Sequence, residues 1–64
     1  MNIDAQIIKK FQDILLREEQ AFKLYSLVIG QITDDFIKAR LTQIRDDEFK
    51  HIKLAREMLQ LLQG

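Results

Sequence analysis

No proline interrupts this chain, and its only internal glycine is Gly30, the other being the terminal Gly64. One natural break near the middle therefore divides it. Asn2 or Asp4 can cap a first helix over about residues 3–30, with Gly30 suiting its C-terminal end. Thr33, Asp34 and Asp35 make a good start for a second helix over about residues 34–63. Strand signals are absent, and a connection of roughly two to five residues makes the two helices antiparallel. The expected fold is all-α, a single helical hairpin over residues 1–64.

Each helix carries a seam with alternating spacings of three and four. In the first it runs Ile8, Phe11, Leu15, Glu18, Phe22, Tyr25, Ile29, Ile32, where only Glu18 is charged. In the second it runs Ile37, Leu41, Ile44, Glu48, His51, Ala55, Met58, Leu62, where Glu48 and His51 are the polar members. This spacing is the knobs-into-holes pattern of left-handed helix packing, so each seam is expected to face a partner helix. Beside the first seam lie Ile7, Ile14, Ala21 and Val28, seven apart, which widens the apolar face beyond what one helix contact uses. A hairpin gives each helix one neighbour. The second neighbour is expected from another copy of the chain, in a two-fold dimer that completes a four-helix bundle.

Length points the same way, because a 64-residue chain buries only a thin core by itself. With no cysteine, disulfides and thiolate metal sites are excluded, leaving oligomerisation, a metal held by nitrogen and oxygen ligands, or both. The longest apolar run, Leu27 to Gly30, spans no membrane, and Met1 to Asp4 begins no signal peptide, so a soluble cytoplasmic protein is expected. Ten basic and ten acidic residues cancel without a basic block, which argues against nucleic acid and anionic lipid as partners.

Glu-x-x-His is by itself a weak motif. Its register gives it weight here: Glu48 and His51 occupy consecutive seam positions about one turn apart, so both heads project to one region of the core. Glu18 lies 12 residues before Gly30 and Glu48 lies 15 after Thr33. At ~1.5 Å per residue these are similar heights, roughly 18 and 22 Å from the turn. A buried carboxylate without a partner is costly, and one histidine cannot balance two acids. Two copies bring two Glu18, two Glu48 and two neutral His51, a formal charge of four negative that two divalent cations would cancel. A simple buried contact between Glu48 and His51 is the plainer alternative, but it leaves Glu18 unpaired.

The stretch Glu18-Glu19-Gln20-Ala21-Phe22-Lys23-Leu24-Tyr25 resembles the first metal-binding helix of the rubrerythrin and ferritin-like superfamily, with the pattern E-x-x-A-x-x-x-Y. Asp47-Glu48-Phe49-Lys50-His51-Ile52 resembles its second, D-E-x-x-H-I. The resemblance covers most of the chain, as half of a ferritin-like four-helix bundle. Its logic is similar to that of the encapsulated ferritins, whose two-helix subunits build the site across a dimer interface. It implies Glu18 as a terminal ligand, Glu48 as a bridging ligand and His51 as the nitrogen ligand of two iron ions per dimer. Manganese also suits such ligands, and zinc can occupy them. Departures from the family are the lack of a cysteine-bound electron-transfer module and of a further seam carboxylate, and no tail after Gly64 that would address a surrounding protein compartment is expected.

The remaining polar residues read as ordinary surface or core. Glu19 lies about 100° off the seam and is expected in solvent. Tyr25 packs in the core with its hydroxyl near the site, where it is a candidate for a catalytic role beside Glu48. Asp46 is a surface charge, whereas Asp47, at the seam edge, can reach a histidine nitrogen. Met58 fills the core, Lys9, Lys10 and Lys53 are solvated, and Phe36, Phe49, Leu54 and Leu61 lie off the second seam. The resulting expectation is a di-iron oxidoreductase of ferroxidase or peroxidase type, oxidising Fe(II) with dioxygen or peroxide. The competing expectations are a hairpin dimer resembling ROP that binds RNA through an outward basic surface, and a purely structural dimeriser without metal.

Overall fold

The computed structural model describes residues 4–64. Helix α1 spans Ala5–Gln31 and α2 spans Asp35–Gln63, and they pack along their lengths as a hairpin. Asn2, the other candidate cap, and the expected helical residue 3 lie outside the described residues. Asp4 caps α1, its Oδ1 accepting from the Gln6 N–H at 2.8 Å. Asp34 caps α2, accepting from the Ile37 N–H at 2.9 Å. Each carboxylate satisfies an amide that has no carbonyl one turn back, and its negative charge suits the positive end of the helix.

Gly30 behaves differently from the expectation that it ends α1. The helix runs through it to Gln31, and Ile32 leaves in an extended conformation with its N–H donating to the Ile29 carbonyl at 3.3 Å. The only glycine with positive φ is Gly64, at 83°. A Cβ at Gly30 would meet nothing within 4 Å. Gly30→Ala should therefore stabilise the protein, by up to ~1 kcal/mol, because the unfolded chain loses freedom and the helix gains a better former. Chemical denaturation of both proteins at equal concentration checks this, and a lower midpoint for the variant would show that the position needs glycine.

The hairpin measures 50 × 14 × 10 Å, two helices wide and one helix thick. Every residue of the expected α1 seam is buried or half-buried. The α2 seam is displaced by one stripe. The buried residues of α2 are Ile52, Ala55 and Leu59, and the face packed on α1 runs Leu41, Arg45, Glu48, Ile52, Ala55, Leu59, Leu62. Ile37, Ile44, His51 and Met58, expected to point at α1, form instead an exposed stripe at the edge of the hairpin. The reason is that α2 has three adjacent apolar stripes, and a hairpin covers only two. Periodicity does not say which two.

The uncovered stripe of α2 and the uncovered stripe of α1 lie on the same flank, since Glu18 of α1 meets His51 of α2 there. Ile7, Ile14, Val28, Ile37, Ile44 and Met58 remain 40–47% exposed along this flank. The accessible surface is 5302 Å². A compact monomer of 7.6 kDa exposes about 4,300 Å². The excess is of the size that one partner contributes to a standard interface, about 800 Å². Among the described residues, no helix is long and apolar enough to cross a membrane.

Candidate metal centre

Three side chains converge at mid-height on that apolar flank. Glu18 and Glu48 are half-buried seam residues of α1 and α2, and His51 stands one turn beyond Glu48. One carboxylate oxygen from each acid and one imidazole nitrogen lie within 4.8 Å of one another. The His51 Nδ1 is 3.6 Å from the Glu18 Oε2, with side-chain exposures of 57% and 26%. That distance is a charge contact when the imidazole is protonated, and it is too long for a hydrogen bond.

The acids are the unsettled part of the group. Glu18 Oε2 and Glu48 Oε2 are both buried without a hydrogen-bond partner. Glu48 is held above its ordinary value of 4.5, first by a side-chain hydrogen bond with Glu18 that can form only when one of the two acids carries a proton, then by burial and by repulsion from the Glu18 charge. His51 opposes the shift, and Asp47 adds to it. A proton on Glu48 would relieve this conflict in the hairpin alone. Once both acids are ionised, no donor remains between them and both oxygens are left unsatisfied.

The sign of the pH dependence follows. The folded chain holds the Glu48 proton more tightly than the unfolded chain, so this stabilising contribution is complete below the ordinary value and declines as pH rises through the raised one. Metal-free protein in chelator should lose melting temperature as pH rises above about 4.5, and Glu48→Gln should lose less. Parallel slopes for the two proteins would show that Glu48 is not strained. A divalent cation should reverse the trend, because its ligands bind in their ionised forms.

Other sequence expectations divide. Tyr25 is half-buried in the α1 seam, roughly 10 Å along the helix from Glu18, and is not among the converging ligands. Met58 lies in the exposed stripe rather than in the core. Asp46 is a surface charge, 3.6 Å from Arg45. Glu19 is not simply solvated: its Oε1 lies 3.7 Å from the Arg56 guanidinium on the opposite flank. On that flank Phe22 and Phe49 also meet, with ring centroids 5.9 Å apart. The pairing was hidden because Phe49 and Arg56, seven apart, belong beside Ile52 only once the 45–52–59 stripe is known to face inward. No protein-family model matches the sequence, and comparisons with curated proteins and with solved structures give no significant match.

Proposed function

We propose that this hairpin is one half of a di-metal carboxylate oxidoreductase, a ferritin-like four-helix bundle formed by a two-fold dimer, which oxidises Fe(II) with dioxygen or peroxide. The observation that carries the reading is the pair of orphaned, buried carboxylate oxygens of Glu18 and Glu48 beside the His51 imidazole. Two acids and one neutral imidazole per chain are a donor set for a divalent transition metal, iron or manganese first and zinc next. They fit the ion in charge as well as in type. Two chains place four carboxylates together, and two divalent cations balance them.

Within that reading each residue has a task. Glu18 would hold an ion from the side of α1, Glu48 would be the carboxylate shared between the ions, and His51 would supply the nitrogen ligand at the two-fold interface. Iron held by these residues would supply one electron per ion to the oxidant. The reaction balances as two Fe(II) losing one electron each, with one peroxide taking both electrons and two protons to leave as two waters. With dioxygen as acceptor, the same electrons and protons give hydrogen peroxide. The apolar residues around the site, Ile14 and Ile44 among them, would exclude water once a second hairpin covers them. That covering is also what makes the charge balance necessary, since carboxylates at an exposed edge need no cation.

The test is metal analysis of protein isolated without added metal, combined with its mass in solution. A dimer carrying close to one metal ion per chain is the expected result. A stable, compact monomer that holds metal would overturn the reading, because the two-metal site needs ligands from both chains.

A further inference from the structure

The flank opposite the carboxylates carries a second feature. Phe49 and His51 are two residues apart on α2, about 200° around the helix, so they flank the buried seam on opposite sides. Phe22, Phe49 and the buried Ile52 form the floor of a groove between the helices, with Glu19, Lys23 and Arg56 at its rim, enclosing about 240 Å³. An adjoining pocket lined by α1 alone, sharing Phe22 and Lys23 with the groove, continues along that helix to Leu27. Its one hydroxyl, on Ser26, donates to the Phe22 carbonyl at 2.9 Å, so the surface it offers is apolar.

The rim has a sign. Lys23 stands on the α1 wall and Arg56 on the α2 wall, while the Lys53 ammonium lies 4.7 Å from the Phe49 ring centroid. Glu19 offsets one of these cations through its contact with Arg56. A local excess of two positive charges therefore borders an apolar floor, in a chain whose net charge is zero. Cations on both walls match carboxylates on both edges of whatever lies between them.

We propose that this groove binds an acidic amphipathic helix of a partner protein, laid between α1 and α2 as a third helix. Its apolar face carries two side chains one turn apart, one over Phe22, Phe49 and Ile52 and the next over Phe22 and Leu27, at i and i+4. Its flanking glutamates or aspartates meet Lys23 on one wall and Lys53 and Arg56 on the other. The groove stays open in the proposed dimer, which uses the other flank. Binding is therefore independent of metal and of the oxidoreductase reading.

The experiment uses the full chain, with and without chelator, and a fluorescein-labelled helical peptide of about 14 residues carrying leucines at i and i+4 between glutamates. A second peptide has every glutamate replaced by lysine. Fluorescence anisotropy should show saturable binding of the acidic peptide, weakened by salt and by at least about tenfold in Lys23→Glu/Lys53→Glu. Phe49→Ala should also weaken it, whereas Lys10→Glu, which lies off the groove, should not. Equal binding of the lysine peptide, or no saturation by about 1 mM, overturns the proposal. So does binding of dodecanoate that Phe49→Ala weakens while the acidic peptide does not bind, which would assign the groove to a small amphiphile. Assemblies larger than the dimer that Lys23→Glu/Lys53→Glu dissolves would assign it to another copy of the chain, and would equally overturn it.

Discussion

Replacing Glu18, Glu48 and His51 together by leucine should make the metal-free protein more stable, by about 1–4 kcal/mol per dimer, and abolish every metal-dependent gain. Two orphaned carboxylate oxygens sit in an otherwise apolar layer, and Glu48 is already driven toward its protonated form by Glu18 and by burial. Removing all three groups eliminates the desolvation and the repulsion at once. His51→Leu also makes the Ile37, Ile44, Met58 stripe unbroken, and Glu18→Leu does the same for the seam from Leu15 to Phe22. Any hydrophobic gain is largest at Glu18 and Glu48, which are half-buried in a single chain, and grows at His51 only when a second hairpin covers it. Thermal unfolding at equal concentration, in chelator and with Fe(II) under anaerobic conditions, separates the two effects. A triple variant less stable than the metal-free parent, while still dimeric, would make these residues structural and remove the physical case for a metal.

The same arithmetic explains which parts of the structure were legible in the sequence. In α1 a single charged residue interrupts the seam, and all eight of its members are buried or half-buried as their spacing requires. The caps were legible because Asp4 and Asp34 each precede an apolar-periodic run. In α2 the 45–52–59 stripe contains Arg45, whose charge disguised it as a solvent face, while the 37–44–51–58 stripe looked the more apolar. The hairpin nevertheless buries Ile52 and Leu59, because α2 can lay two of its three stripes on α1. Gly30 misled for a related reason: glycine permits a left-handed end but does not impose one, and Ile32 turns the chain in an ordinary extended conformation instead.

The candidate centre survives that displacement because Glu48 belongs to the stripe common to both descriptions. The change falls on His51, which faces outward along the uncovered flank rather than toward α1. In the proposed dimer this is the more useful place, since an imidazole at the edge of one hairpin can reach an ion shared with the other. What the sequence did not show is that Glu48 is held above its ordinary value in the single hairpin. It arises from the side-chain approach of Glu18, which matching heights along two helices make possible but do not determine.

Loss of the Glu48 side chain should have the largest functional effect of any single substitution. Fe(II) added anaerobically to the parent and then exposed to dioxygen or peroxide should be oxidised faster than in buffer, and Glu48→Ala should bring the rate back to that of buffer. In a two-fold dimer one substitution removes both copies of the proposed spanning ligand, leaving two Glu18 and two His51 with a formal charge of two negative. That charge can balance only one divalent cation, so the pair of ions on which the two-electron reaction depends is lost. Glu19→Ala is the control, because Glu19 engages Arg56 on the opposite flank and its removal costs at most a surface ion pair. Metal content measured beside the rate separates binding from reactivity: Glu48→Ala should hold half the parent's metal or less. If both variants oxidise iron as the parent does, the oxidation occurs elsewhere on the chain. If both lose the activity equally, the flank that carries Glu19 belongs to the site, and the assignment of Glu18 as its α1 ligand is wrong.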